Sequence, residues 1–230
     1  MRLLLCDDHT LFREAIAGIL RSQPDMEVVG LASTGREAIE LVARHQPDVV
    51  LMDVNMPELD GVRATETICK QQPRVNVVIL TMFPEDEHAF EAVKAGARGY
   101  LVKTIDTYEL VRSIRSVHAG HTLVSADVAM RVLEDFRGAP RTQSGRGVVD
   151  LSEREKDILR LLSKGATNQE IARQMFLSEK TIENRLSVIF QKLQINNRVQ
   201  AALYALKTGL AAVDAEDEEV PSAGGGFPRR

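Results

Sequence analysis

Tryptophan is absent from the 230 residues, cysteine occurs twice, and aromatic residues make up 4%. Two cysteines, Cys6 and Cys69, exclude a disulfide framework and fit a reducing cytosol. No apolar run approaches the ~18 residues that a membrane span needs. The N-terminal run Leu3 to Cys6 is too short for the apolar region of a signal peptide. A soluble, cytoplasmic protein with no membrane partner is expected. Strong net charge is lacking too: the formal value is −4, so no global field points to a partner. No internal repeat is visible.

What the chain does contain is a core's worth of apolar residues, 44%, with 27% charged, as in ordinary globular proteins. Charge is unevenly placed. Residues 1–120 carry thirteen basic and eighteen acidic side chains, whereas 150–212 carry ten and seven. An acidic front and a mildly basic back predict two domains with different partners.

Along residues 1–120, short apolar runs alternate with helical patterns. The runs are 2–6, 26–31, 48–53, 75–80 and 99–102. They lack polar alternation, as strands covered on both faces should. Between them, helical spacing recurs, as in Ala38, Leu41 and Val42, or Ala89 and Val93. Strand and helix repeated five times predicts an α/β fold, a doubly wound five-stranded parallel sheet. Residues 121–149 read as a linker with a short helix capped by Ser125, its apolar face formed by Val128, Val132, Leu133 and Phe136. The stretch 137–147 is rich in Gly, Pro, Ser and Arg. Residues 150–212 read as all helical, and 213–230, acidic and then Gly-rich, as a disordered tail.

Doubly wound sheets bind ligands beyond the carboxyl ends of their strands. Asp7 and Asp8 follow the first predicted strand, Asp53 ends the third, Thr81 follows the fourth and Lys103 the fifth. Adjacent carboxylates repel, and burying even one is costly without a cation. Three converging carboxylates favour a hard divalent cation such as Mg2+. Lys103 adds a point charge for a phosphoryl oxygen and Thr81 a hydroxyl donor. That set is suited to phosphoryl transfer onto a carboxylate. His9 and His88 read as loop residues that cap or face solvent.

The segments "CDDH", "LMDVNMP", "LTMF" and "GYLVKT" resemble, in order and spacing, the receiver domain of bacterial two-component response regulators. The resemblance implies a flavodoxin-like receiver in which Asp53 accepts a phosphoryl group from a sensor histidine kinase. It implies that Asp7 and Asp8 hold Mg2+ with Asp53 and the backbone carbonyl of Asn55. It further implies that Thr81 and Tyr100 form a switch pair and that Lys103 contacts the phosphoryl group. In the family the peptide bond after this lysine is commonly cis and followed by proline. Thr104 follows here, and a cis bond is still expected, although a non-proline cis bond costs roughly 2.5–4 kcal/mol.

The back of the chain begins with two capping-box signatures, Ser152 with Glu155 and Thr167 with Glu170. Gly165 ends the first helix. Ser178 then caps a longer helix in which Ile182, Leu186, Ile189 and Leu193 make one apolar stripe. The opposite face holds Lys180, Asn184, Ser187 and Gln191, flanked by Glu183. Small polar and amide side chains there can read base edges. Thr181, Arg185 and Lys192 complete the expected DNA-contact set. Two short helices joined tightly form a helix-turn-helix arrangement.

"LSEREKDILRLLSKGATNQEIA", "LSEKTIENRLSVIFQKL" and "NNRVQAALYA" resemble the LuxR-type helix-turn-helix of NarL/FixJ-type regulators. The resemblance implies a homodimer that reads a pseudo-palindromic site on double-stranded DNA, with part of the stripe Val199, Ala202, Leu203, Leu206 and Leu210 pairing with a second copy. The family usually has Lys at Gln169 and Glu183, His at Arg185 and often Lys at Ser187. Fewer lysines predict modest affinity and a shallow salt slope. Together the two resemblances imply a phosphorylation-dependent DNA-binding transcription regulator, and no enzyme is expected. Two alternatives stay open: a Mg2+-dependent phosphohydrolase with an aspartate nucleophile, and a phosphate sink acting through protein contacts alone.

Overall fold

The computed structural model describes residues 1–82, 86–125, 128, 131–132, 151–193, 195 and 198–210. Five parallel strands, β1 (Arg2–Cys6), β2 (Glu27–Ala32), β3 (Val49–Met52), β4 (Asn76–Thr81) and β5 (Gly99–Val102), form one sheet in the order β2-β1-β3-β4-β5. Between and after them lie α1 (Thr10–Arg21), α2 (Gly35–His45), α3 (Gly61–Gln71), α4 (Asp86–Ala95) and α5 (Thr107–His118). The absence of polar alternation in the strands has its explanation here. Leu4, Cys6, Val50 and Met52 enter one core cluster, and their neighbours Leu3, Leu5, Val49 and Leu51 enter another on the opposite face. Both faces of the sheet are covered, so every strand position gains from being apolar.

One glycine fixes how closely a helix approaches the sheet edge. A Cβ at Gly61 would lie 1.8 Å from the Asp53 carbonyl oxygen, and the Gly61 amide donates to the Val54 carbonyl at 2.8 Å. Glycine thus lets the start of α3 lie against the loop that carries Asp53. Asp60 caps the same helix by accepting from the Arg63 amide at 2.8 Å.

The second unit holds α6 (Glu153–Ser163), α7 (Asn168–Met175), α8 (Glu179–Leu193) and α9 (Arg198–Lys207). Both expected capping boxes form, Ser152 with Glu155 and Thr167 with Glu170. Ser178 accepts from the Thr181 amide at 3.1 Å, which makes it the cap of α8. The core joins Ile158, Leu159 and Leu162 to Ile171, Ile182, Leu186, Ile189 and Phe190. Phe190 was not part of the expected stripe, and Leu193 only borders that core. Between the units, Val128 and Val132 are helical and buried, and Ser125 accepts from the Val128 amide at 3.3 Å. The expected positions of Leu133 and Phe136, the stretch 137–147 and the tail 213–230 lie outside the described residues.

Among the described residues every peptide bond is trans, so the cis bond expected after Lys103 is not found. Lys103 reaches the carboxylates through a trans linkage, and the unfavourable isomer is unnecessary.

Candidate functional site: a carboxylate cluster and a helix-turn-helix

The ends of β1 and β3 bring Asp7 and Asp53 together, because the amide of Asp53 continues the ladder to the Cys6 carbonyl at 2.8 Å. Both are almost fully buried, 4% and 3% exposed, while Asp8 beside them is exposed. Lys103 supplies the balancing charge. Its Nζ lies 2.7 Å from Asp7 Oδ2 and 3.2 Å from Asp53 Oδ1. Its own side chain is 3% exposed, and the ring of Phe12 lies 4.8 Å from the ammonium. Burial pushes the Asp53 carboxyl above its ordinary value, against the lowering pull of Lys103, and the negative charge of Asp7 pushes the same way as burial.

Thr81, at the end of β4, is buried at the same edge, and its carbonyl accepts from the Lys103 amide at 2.6 Å. Asn55 is exposed in the loop after Asp53, between the buried Val54 and Met56. Tyr100 in β5 is half-buried and touches two apolar clusters. One is the sheet core; the other comprises Ala89, Val93, Val128 and Val132, with Val199 of α9 packed against it.

His9 is exposed and stands at a cap position, as expected, and it also meets the acidic pair. It occupies the N-cap position of α1 without a side-chain cap bond, and its Nδ1 lies 2.7 Å from Asp8 Oδ1 and 3.4 Å from Asp7 Oδ1. One ligand atom from each of Asp7, Asp8, His9 and Asp53 falls within 4.8 Å of the others. The reason is local: His9 follows the acidic pair directly, and the turn into α1 folds its ring back onto them. Arg13, one helical turn further, donates from Nη1 to the Asp7 carbonyl. Phe12 and Arg13 were not singled out from sequence; their place on the first turn of α1 was the available signal. The donor set, oxygens from three carboxylates in a partly open rim, fits a hard divalent cation. Cys6 contributes no reactive thiol, since burial pushes its pKa up.

In the helical unit the expected DNA-contact residues divide. Lys180 is exposed and donates to Glu183 Oε2 at 2.9 Å. Thr181 shares a hydrogen bond of 2.7 Å with Ser178, Asn184 and Gln191 are exposed, and the Ser187 hydroxyl returns to the Glu183 carbonyl at 3.0 Å. The Nε of Arg185 is buried with no acceptor among the described residues. Lys192 does not project freely: its Nζ lies 2.7 Å from Glu155 Oε1 and ties α8 to the capping box of α6. That bond is the main reason the Glu155 carboxyl sits below its usual range.

Part of the face expected to be open to bases is turned toward the sheet unit, while Asn184 stays exposed outside it. Lys180, Glu183, Ser187 and Gln191 line a cleft of about 370 Å³ whose far wall includes Asp48, Asn76 and Arg98. Gly120, at φ +99°, marks how close the units come; a Cβ there would lie 3.3 Å from the Asn168 amide nitrogen. Gln200 of α9 donates to the Lys94 carbonyl at 3.1 Å.

Comparison with known families agrees with both halves. Residues 3–115 match the response regulator receiver domain, and residues 149–205 match the bacterial regulatory proteins of the luxR family. The chain belongs to the NarL/FixJ-type response regulators. Similar proteins include the transcriptional regulatory proteins YhcZ and LiaR of Bacillus subtilis. Each is 37% identical, over 91% of this chain and 97% and 99% of theirs. A solved LuxR-family two-component response regulator from Aurantimonas is 34% identical, with a TM-score of 0.53 over 59% of this regulator and 97% of that chain. The regulator therefore pairs a flavodoxin-like receiver with a LuxR-type DNA-binding domain, as transcription regulators of two-component systems do. Among its described residues no helix is long and apolar enough to cross a membrane.

Proposed function

We propose that Asp53 is the phosphoacceptor and that its phosphorylation releases the DNA-binding face of α8. The observation that carries this reading is the meeting of Asp7, Asp8, Asp53, Thr81 and Lys103 at one sheet edge, with Lys103 bonded to two of the three carboxylates. An Asp53 carboxylate oxygen attacks the phosphorus of a phosphohistidine on a sensor kinase. A P–O bond forms, the P–N bond breaks, and the histidine leaves with the electron pair and takes up a proton. Asp7, Asp8, Asp53 and the Asn55 carbonyl would hold Mg2+, which when bound neutralises the carboxylates and the transferring oxygens. Lys103 follows the new negative charge from the Asp53 carboxylate onto a phosphoryl oxygen, and the Thr81 hydroxyl takes another.

Tyr100 carries the change outward. It packs on the cluster that holds Val128 and Val132 and receives Val199, next to the Gln200 bond to Lys94. Movement of Thr81 and Tyr100 repacks the surface on which α9 rests. Lys180, Thr181, Glu183, Asn184, Arg185, Ser187 and Gln191 then meet DNA, and two copies bind a pseudo-palindromic site. Lys192 acts in the fold instead. The protein works in the cytoplasm and takes one phosphoryl group rather than turning over many.

Labelling with a small phosphodonor and Mg2+ tests the reading. One phosphoryl group per chain is expected, lost in Asp53→Asn, together with tighter binding to a specific DNA fragment. Continuous phosphate release would favour a hydrolase, and equal DNA binding with and without label would refute the switch.

A further inference from the structure

A second cleft, of about 990 Å³, lies between α6 and α7. Its wall is both apolar and basic. Leu161 and Met175 belong to the apolar part, and Phe176 stands there with 94% of its surface exposed. Phe176 ends α7 in the left-handed region, at φ 56°, where glycine or asparagine is the usual residue. A large ring is thus held in water at a cap that a small residue would serve better. Arg154, Arg160 and Lys164 form the basic part. The two acids of the cleft are spent locally. Asp157 accepts from Arg160 Nη1 at 2.6 Å, and Glu170 accepts from the Thr167 amide and hydroxyl at 2.7 and 2.9 Å. Arg154 is exposed and has no ion pair among the described residues.

The chain itself leads to this cleft. The described residues end at Leu210, whose carbonyl accepts from Arg160 Nε at 3.2 Å, so the C-terminal segment departs from the cleft wall. Residues 211–220 then read AAVDAEDEEV. Asp214, Glu216, Asp217, Glu218 and Glu219 carry negative charge, no basic residue interrupts them, and Val220 closes the run. An extended chain spans at most ~3.6 Å per residue, so Asp214 stays within about 14 Å of Leu210 and Val220 within about 36 Å. Both therefore reach a cleft that starts beside Leu210. A tether this short holds the acids at an effective concentration of order millimolar, an advantage that the same segment of a second copy lacks.

We propose that the acidic segment Asp214–Glu219 docks in this cleft of its own chain, with carboxylates on Arg154 and Lys164 and Val220 over the ring of Phe176. Opposite charge supplies the attraction, and covering the ring removes apolar surface from water. His121, which follows α5 of the receiver, lines the same cleft. The docked segment thus touches both units and favours their closed arrangement. This last consequence rests on the domain separation proposed above; the docking itself does not.

Zero-length carbodiimide cross-linking of the full chain, read by peptide mass spectrometry, tests the docking. Lys164 is expected to join an acid within 214–219 in the monomer fraction, with a severalfold lower yield at about 0.5 M salt, where screening acts within roughly 4–5 Å. A full-length variant with Asp214→Asn, Glu216→Gln, Asp217→Asn, Glu218→Gln and Glu219→Gln should exchange its amides at 174–177 severalfold faster than the parent. Arg154→Glu, a change at an exposed position, should do the same with the native segment. Cross-links found solely between chains would give the segment to a second copy, and exchange unchanged in both variants would leave the cleft uncovered; either overturns the proposal. Arg154→Glu also separates strap from simple repulsion. It adds negative charge, yet loss of the strap should tighten DNA binding of the unphosphorylated chain; weaker binding would overturn the link to domain closure. Asp53 labelling should be equal in parent and variants. Its failure in all of them would remove the phospho-switch and leave the docking result standing.

Discussion

Lys103 shows how one side chain sets the electrostatics of a whole site. Without it, Asp7 and Asp53 would face each other with no buried cation between them. Breaking a buried pair by removing one partner costs on the order of 3–5 kcal/mol. Lys103→Met is therefore expected to lower the stability of the metal-free protein by roughly that amount, read from urea unfolding at neutral pH. Mg2+ should restore part of the loss, and a variant as stable as its parent would contradict the role. A surface residue gives a cleaner pH test. Arg115 donates twice to Asp25, at 2.9 and 2.7 Å, and chiefly for that reason the Asp25 carboxyl falls from 3.8 to about 2. A depressed carboxylate contributes stability above its unfolded value and loses it as pH falls through the folded one. The parent should exceed Asp25→Asn in thermal stability above pH ~4, with the difference vanishing toward pH ~2. At this scale the acidic pair, Asp53 and Lys103 were legible because strand ends are. His9 and Phe12 were not, because their contacts depend on side-chain direction and on a lysine from the far end of the sheet.

Among the elements, α8 divides its lysines between two tasks. Lys192 is bonded to Glu155 and so braces α6 against α8, whereas Lys180, bonded only to Glu183 of its own helix, stays exposed at the helix start. Each phosphate neutralised contributes about 0.9 to the slope of log affinity against log salt. Lys180→Gln should thus lower the slope by about 1 per protomer. Lys192→Gln should leave the slope unchanged and lower the melting temperature of the helical domain. The reverse pattern would return Lys192 to the DNA interface. The stripe Ile182, Leu186 and Ile189 could be read from spacing alone, since a helix has one period. The bond to Glu155 could not, because it joins two helices whose relative angle no local pattern encodes.

In the whole molecule Lys180, Glu183, Ser187 and Gln191 line a cleft against the receiver, and the activation proposed above has the two domains part. A shift from 1% to 99% open needs about 5.5 kcal/mol of differential stabilisation. Thr81 and Tyr100 need not supply all of it, since DNA binding and dimerisation add to the same equilibrium. Hydrogen exchange before and after phosphodonor treatment checks this. Faster exchange is expected in the backbone around 46–48, 72–76 and 180–191, with the sheet core unchanged; identical protection in both states would rule out domain separation. Apolar runs covered on both faces, capping boxes and polar residues at strand ends were enough to establish two domains, their architecture and the receiver edge, because each follows from backbone period and short-range hydrogen bonding. Which part of α8 faces the receiver and which acid Lys192 meets were decided only by tertiary packing, where partners distant in the chain are brought together.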